Sequence, residues 1–142
     1  MSGRRRVKTR TQACDAAQAR KRLADARLFL ELADTVDDAN APESLGVSAA
    51  NAVLAGIAAA DAACCRALGE RSRGEDHRDA TKLVAEVQPG GDDAAKALGR
   101  LLVIKNDAEY GLTTISRANR ELAIRQSRRL LAFAEAVVNR SA

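Results

Sequence analysis

A chain of 142 residues with 46% hydrophobic and 30% charged side chains is long enough for one domain with its own core, and too apolar to be disordered. Its three aromatics, Phe29, Tyr110 and Phe133, argue against a stacking platform for single-stranded nucleic acid. Three cysteines, an odd number, argue against a disulfide framework, and a net charge of +4 does not demand a nucleic-acid partner. Alanine dominates the apolar fraction, which favours helix over strand and close helix packing. The expected fold class is all-α, a single-domain bundle of about five helices over residues 12–140, preceded by a basic arm at 1–11.

In chain order, "MSGRRRVKTRTQ" has a basic start with no apolar run behind it, so it does not read as a signal peptide. Its "RRRVKTR" is a basic tail of the kind that orders on meeting a partner. The first helix is expected from about Gln12 to Thr35, with Leu23, Ala26, Leu30 and Ala33 on one face. "DDANAPESLG" breaks it. Ser48 is a plausible N-cap for a second helix that carries Val53, Ile57, Ala60, Cys64 and Leu68 on one face and stops at Gly69. The longest uncharged run, Ser44 to Ala60, has 17 residues, short of the ~20 needed to span a bilayer. A polar loop, "ERSRGED", leads to a short third helix with Ala80, Leu83, Val84 and Val87 inside, and "QPGG" ends it. Asp92 and Asp93 suit the positive end of a fourth helix, which presents Ala97, Leu98, Leu101, Ile104 and Ala108 and is closed by Gly111. Thr113 or Thr114 can cap a last helix running to about Asn139.

The cysteines read as buried thiols of a reducing compartment: a vicinal pair, Cys64–Cys65, cannot readily close an unstrained disulfide within a helix. The chain is therefore read as soluble and cytoplasmic, with no membrane partner. One histidine and unsuitable cysteine spacing leave no metal site, and no Gly-rich phosphate loop or nucleophile elbow implies a cofactor. His77, between Asp76 and Asp79, reads first as a histidine hydrogen-bonded at a helix start and second as a catalytic group. "NRS" at 139–141 matches a glycosylation acceptor, without meaning in a cytoplasmic chain.

Charge is uneven. Residues 1–22 hold eight Lys or Arg against one acid, whereas residues 28–65 hold six acids and no Lys or Arg. On the last helix Arg117, Arg120, Arg125, Arg128 and Arg129 fall opposite the face of Leu122, Leu130, Ala134 and Val137. Such a stripe is a candidate nucleic-acid-binding surface, set against the simpler reading of a solvated face or a surface for an acidic chain.

"LLVIKNDAEYG", residues 101–111, places Lys105 at the angle of Leu98 and Leu101, with Glu109 one turn on. A lysine there must reach water, pair, or line a pocket. Together, "VLAGIAAADAACCRALGERSRGEDHRDATKLV" (53–84) and "LLVIKNDAEYG" resemble the HEPN family of small helical bundles, over roughly residues 44–140, with "GERSRGEDH" the most specific part. The resemblance implies a link to RNA. Many members are ribonucleases, toxins of toxin–antitoxin pairs or partners of nucleotidyltransferases, and they usually form homodimers that bring two motifs into one cleft.

That family's motif is an arginine and a polar residue, with a histidine four to six residues on. By resemblance Lys105 stands at the arginine, Asn106 at the polar residue and Tyr110 at the histidine, with His77 a substitute if folding brings it near. Tyrosine, with an ordinary pKa of ~10, exchanges protons poorly near neutrality, and lysine lacks the planar fork that clamps phosphate. The expectation is a non-catalytic HEPN-type protein that dimerises or binds a partner such as an antitoxin or nucleotidyltransferase. The alternatives are a metal-independent ribonuclease at Lys105, Asn106, Tyr110 and His77, and a nucleic-acid-binding module using the arm and the arginines.

Overall fold

A computed structural model describes residues 10–36, 41–73, 77–110 and 114–140, with only the backbone described for His77 and residues 108–110. Among these residues five helices form: α1 (Ala16–Thr35), α2 (Glu43–Leu68), α3 (His77–Ala85), α4 (Gly91–Tyr110) and α5 (Arg117–Val138). Two short strands, β1 (Thr11–Ala13) and β2 (Glu70–Ser72), pair antiparallel with Thr11 opposite Ser72. The all-α bundle is as the periodicity predicts.

α1 starts at Ala16 rather than Gln12 because Asp15 closes a capping box: Gln18 N donates to Asp15 Oδ1 at 2.8 Å, and Asp15 N donates to Gln18 Oε1 at 2.9 Å. Its buried stripe is Ala19, Leu23, Ala26, Leu30 and Ala33. Residues 11–13, placed in the arm or the first helix by sequence, instead extend against β2, which occupies the start of the expected polar loop. The rest of the arm, residues 1–9, lies outside the described residues, as do Gly111 and Thr113. Ser116, not a threonine, caps α5 by accepting from Asn119 N at 3.1 Å.

Contacts fix the helix directions. Ala33 meets Ser48, and Arg22 meets Asp61, so α1 and α2 are antiparallel. Ser48 meets Arg120 and Arg66 meets Arg140, so α2 and α5 are parallel. Gly90 lies against Phe133, and Ala97 and Arg100 share a groove with Arg129, so α4 runs against α5. The long helices thus go up, down, up, down, with α3 inserted before α4.

α2 is the central helix. By length and composition alone it could cross a membrane, with a mean hydropathy of 1.5 over its most apolar stretch, but 72% of that stretch is buried by the other helices. Its alanines let neighbours close in, and Gly56 takes this furthest: a Cβ there would collide with Leu101 Cδ1 and lie 3.2 Å from Leu130 Cδ1. Gly69 ends α2 at φ 74°, as expected of a C-terminal glycine.

Two sequence expectations on α2 are corrected. Ser48 is not a cap, because α2 begins at Glu43; it is a fully buried interior residue. Nor are all three cysteines free thiols: Cys14 and Cys65 form a disulfide with Cα atoms 5.3 Å apart, joining the chain before α1 to the last turn of α2. Parity missed it because the pairing is long-range. Consecutive helical residues point about 100° apart, so Cys65 turns toward Cys14 while Cys64 turns into the core and stays a thiol.

Candidate interaction site

The expected motif lies on α4. Lys105 is half-buried and Asn106 exposed; the side chains of Tyr110 and His77 lie outside the described residues. Gly91 stacks on the carbonyls of Val84 and Ala85, so α3 and α4 turn back on one another there. His77 opens α3 about 12 Å from its last residue, whereas Lys105 is about 21 Å along α4, at 1.5 Å per residue. The backbone therefore puts both away from the turn but at different heights.

The five α5 arginines do not form one surface. Arg120 is buried, which corrects its assignment to a nucleic-acid-binding stripe. Its Nε donates to Ser48 Oγ at 2.8 Å, one Nη to Ala33 O at 3.3 Å and the other to Glu121 Oε1 at 2.8 Å. Ser48 Oγ in turn donates to Ala33 O at 2.6 Å. Ala33 lies in the last turn of α1, whose carbonyls have no intrahelical partners, and a cation there also faces the negative end of the helix dipole. Arg120 is thus a cap for α1 supplied by another helix. Helical angle alone did not reveal this, because the angle lies at the edge of the apolar face, where the third helix decides burial.

Arg128 is tied to Asp34 on α1, its Nη2 lying 2.8 and 2.9 Å from the two carboxylate oxygens, and Arg117 lies 3.9 Å from Glu121. Arg125 and Arg129 are exposed and make no ion pair among the described residues. Beside Glu121, Ile124 and Arg128 they line a shallow groove of about 470 Å³.

At the other end of α1, Asp61 accepts from Arg22 at 3.0 Å and lies 3.7 Å from Arg71. Burial raises its carboxyl above the ordinary 3.8, against the opposing pull of Arg22 and then Arg71. Burial, reinforced by the charges of Asp61, Glu86 and Glu70, pushes the Cys64 thiol up to about 12, so it is an inert neutral group in the fold. Among the described residues no group of three His, Cys, Asp or Glu side chains could hold a metal ion.

The feature that sequence reading missed is an apolar face on α1 and α2. Leu28 is 61% exposed, Leu32 51%, Val47 50% and Leu54 43%. Leu28 and Leu32 are one turn apart on α1, and Val47, Ala50 and Leu54 share one face of α2. The antiparallel register set by Ala33–Ser48 and Arg22–Asp61 brings Leu28 level with Leu54 and Leu32 level with Ala50. Arg27 and Asp34 mark the opposite flank of α1, where they pair with Glu135 and Arg128 of α5. A signal was available: four leucines and a phenylalanine within residues 23–32 are more than one buried stripe can hold.

No protein-family model matches the chain, and no curated protein matches it.

Proposed function

We propose that the protein is a non-catalytic, HEPN-type interaction component whose apolar α1–α2 face pairs with a second copy of the chain. The observation carrying this reading is the exposure of Leu28, Leu32, Val47 and Leu54 on two adjacent helices. Single exposed leucines are ordinary, but a cluster on neighbouring helices is the mark of a surface that is covered in use. The order of helices, with "KNDAEY" closing the fourth, is what supports the HEPN-type reading. Burial of the same patch by a different helical protein, such as an antitoxin or nucleotidyltransferase, is the competing occupant.

Sedimentation or light scattering of the purified chain tests this. The expected result is a dimer, converted to monomer by Leu32→Glu with Leu54→Glu while the helical circular dichroism is unchanged. A wild-type monomer at high concentration would remove self-pairing.

The ribonuclease reading rests on one observation, that Lys105 and Asn106 are consecutive on α4 with Lys105 half-buried. Lysine offers charge for a phosphorane, but a base for the 2′-hydroxyl is still required. Labelled RNA with and without EDTA, beside Lys105→Ala and Tyr110→Phe, decides it. Cleavage that survives EDTA and disappears in the variants would replace the non-catalytic reading.

A further inference from the structure

A pocket of about 400 Å³ lies where β1 meets the first turns of α1 and the last turn of α2. Both halves of the disulfide, Cys14 and Cys65, line it, and so do Lys21, Arg22 and Arg71. No carboxylate residue is part of that lining. Cys14 is partly exposed, whereas Cys65 is only 2% exposed. Disulfides that small thiols can reach are the labile and regulatory ones, in contrast to those sealed in a core.

The three cations are positioned without being neutralised. Asp25 accepts from Lys21 at 2.7 Å and from Arg22 at 3.2 Å, and Asp61 accepts from Arg22 at 3.0 Å and lies 3.7 Å from Arg71. Two carboxylates against three cations leave one positive charge over. The Lys21 side chain is 71% exposed, so its one-turn pair with Asp25 is a weak, solvated one, and its ammonium can turn to another anion. Arg71 Nη2 donates to Gln12 Oε1 at 3.0 Å, which holds that guanidinium beside the strand leading into Cys14. The covalent bond matters to that strand. Apart from the disulfide, β1 is held by a three-residue pairing with β2, with Cys14 N donating to Gly69 O at 2.9 Å and Arg73 N to Arg10 O at 3.0 Å.

We infer that the Cys14–Cys65 disulfide is a thiol–disulfide exchange site for a small thiol that carries carboxylates, which Lys21, Arg22 and Arg71 recognise. The incoming thiolate attacks Sγ of Cys14, the more exposed cysteine. A new S–S bond forms between the two, the Cys14–Cys65 bond breaks, and its electron pair leaves on Cys65 Sγ, which takes a proton from water. A second molecule of the same thiol, attacking the mixed disulfide, releases Cys14 as a thiolate and departs as its own disulfide, so the small thiol is the reductant throughout. The cations act on both steps, because a thiolate with carboxylates brings more negative charge to the pocket than a neutral or cationic thiol does. Cys64 does not compete as an internal attacker, since it is buried and adjacent to Cys65 on the same helix. The product of the first step ends the covalent tie of β1 to α2 and leaves its backbone bonds as the remaining link.

Reduced glutathione, 2-mercaptoethanol and cysteamine, offered to the untreated full chain at equal thiolate concentration, test the site. Each rate of opening is divided by the same thiol's rate with a small neutral disulfide, which removes differences in intrinsic nucleophilicity. Glutathione is expected to react fastest and cysteamine slowest, with the first adduct mapped to Cys14 by mass spectrometry. Lys21→Glu and Arg71→Ala are each expected to slow glutathione about threefold or more and not to slow cysteamine, and about 0.5 M salt to shrink the preference. Arg125→Glu, an exposed charge change on α5, is expected to leave all three rates unchanged. A variant that merely loosens the fold speeds all three thiols, so the sign of the change separates lost recognition from lost structure. Three reactive thiols in the untreated chain after unfolding would overturn the inference. So would equal rates for the three thiols, a glutathione preference that survives Lys21→Glu combined with Arg71→Ala, or a first adduct on Cys65.

Discussion

The two ends of the α1–α2 hairpin are closed by different chemistry. Where α1 begins, a covalent bond, Cys14–Cys65, is backed by the ion pairs of Asp61 with Arg22 and Arg71. Where α1 ends, no covalent bond is used: Ser48 and the buried Arg120 share the carbonyl of Ala33. The first end depends on oxidation state and tethers a strand only three residues long. The second depends on a buried guanidinium that reaches Ser48, Ala33 and Glu121 at once. Reduction should therefore loosen the first end, and loss of the Arg120 guanidinium the second.

The largest effect should come from the covalent end. Reducing the disulfide, or Cys14→Ser, should cost about 4 kcal/mol on the chain-entropy account of a 51-residue separation, read as a lower urea midpoint with and without reductant. Equal midpoints would mean that the strand pair and Asp61 ion pairs hold that end unaided. Next, Arg120→Ala should cost about 3 kcal/mol, because it leaves Ser48 and a helix-terminal carbonyl short of a partner inside the bundle. Arg120→Lys should recover only part of that, since lysine has no fork to reach both acceptors. Asp15→Ala, which removes the capping box beside the disulfide, should cost about 1 kcal/mol. Smallest of all, Arg128→Ala should cost about 0.5 kcal/mol, because its partner Asp34 is solvated.

Proton linkage sharpens the same contrast, because the titrating groups sit at the covalent end. Asp61 keeps its proton to higher pH when folded than when unfolded. The stability it contributes is therefore present below its ordinary pKa of 3.8 and lost as pH rises through the raised folded value. Asp61→Asn should remove that slope from an acid titration of stability. Cys64 acts in the same direction at high pH: the folded thiol stays neutral until about 12 while the unfolded one ionises near 9.0, so stability should fall as pH rises from 9.0. A thiol reagent should find Cys64 silent in the native protein and reactive after unfolding, with no change to the Arg120 end.

Much of the fold was legible in the sequence because it is local. The buried stripe of α1 follows from spacing, the stop after α2 from a glycine at positive φ, and the α4 start from its glycines and acids. Ser48 and Arg120 were misread for one shared reason. A serine before an apolar run looks like a cap, and an arginine on an amphipathic helix looks solvated, until a third helix makes them face each other. Lys105 and Asn106 are neighbours in the chain, whereas the pairing of Arg128 with Asp34 joins two helices and could not be read on either one.

What the sequence by itself determined is the helical class, the helix faces and the turns, all set by residue preferences and spacings within a few positions of each other. The tertiary structure alone decided which cysteines join, which arginine is buried, and where apolar and cationic surfaces remain uncovered. The cysteine pairing and the burial of Arg120 depend on partners 51 to 87 residues apart in the chain, Cys14–Cys65 and Ala33–Arg120 among them, which only the packing of one helix against another brings within reach.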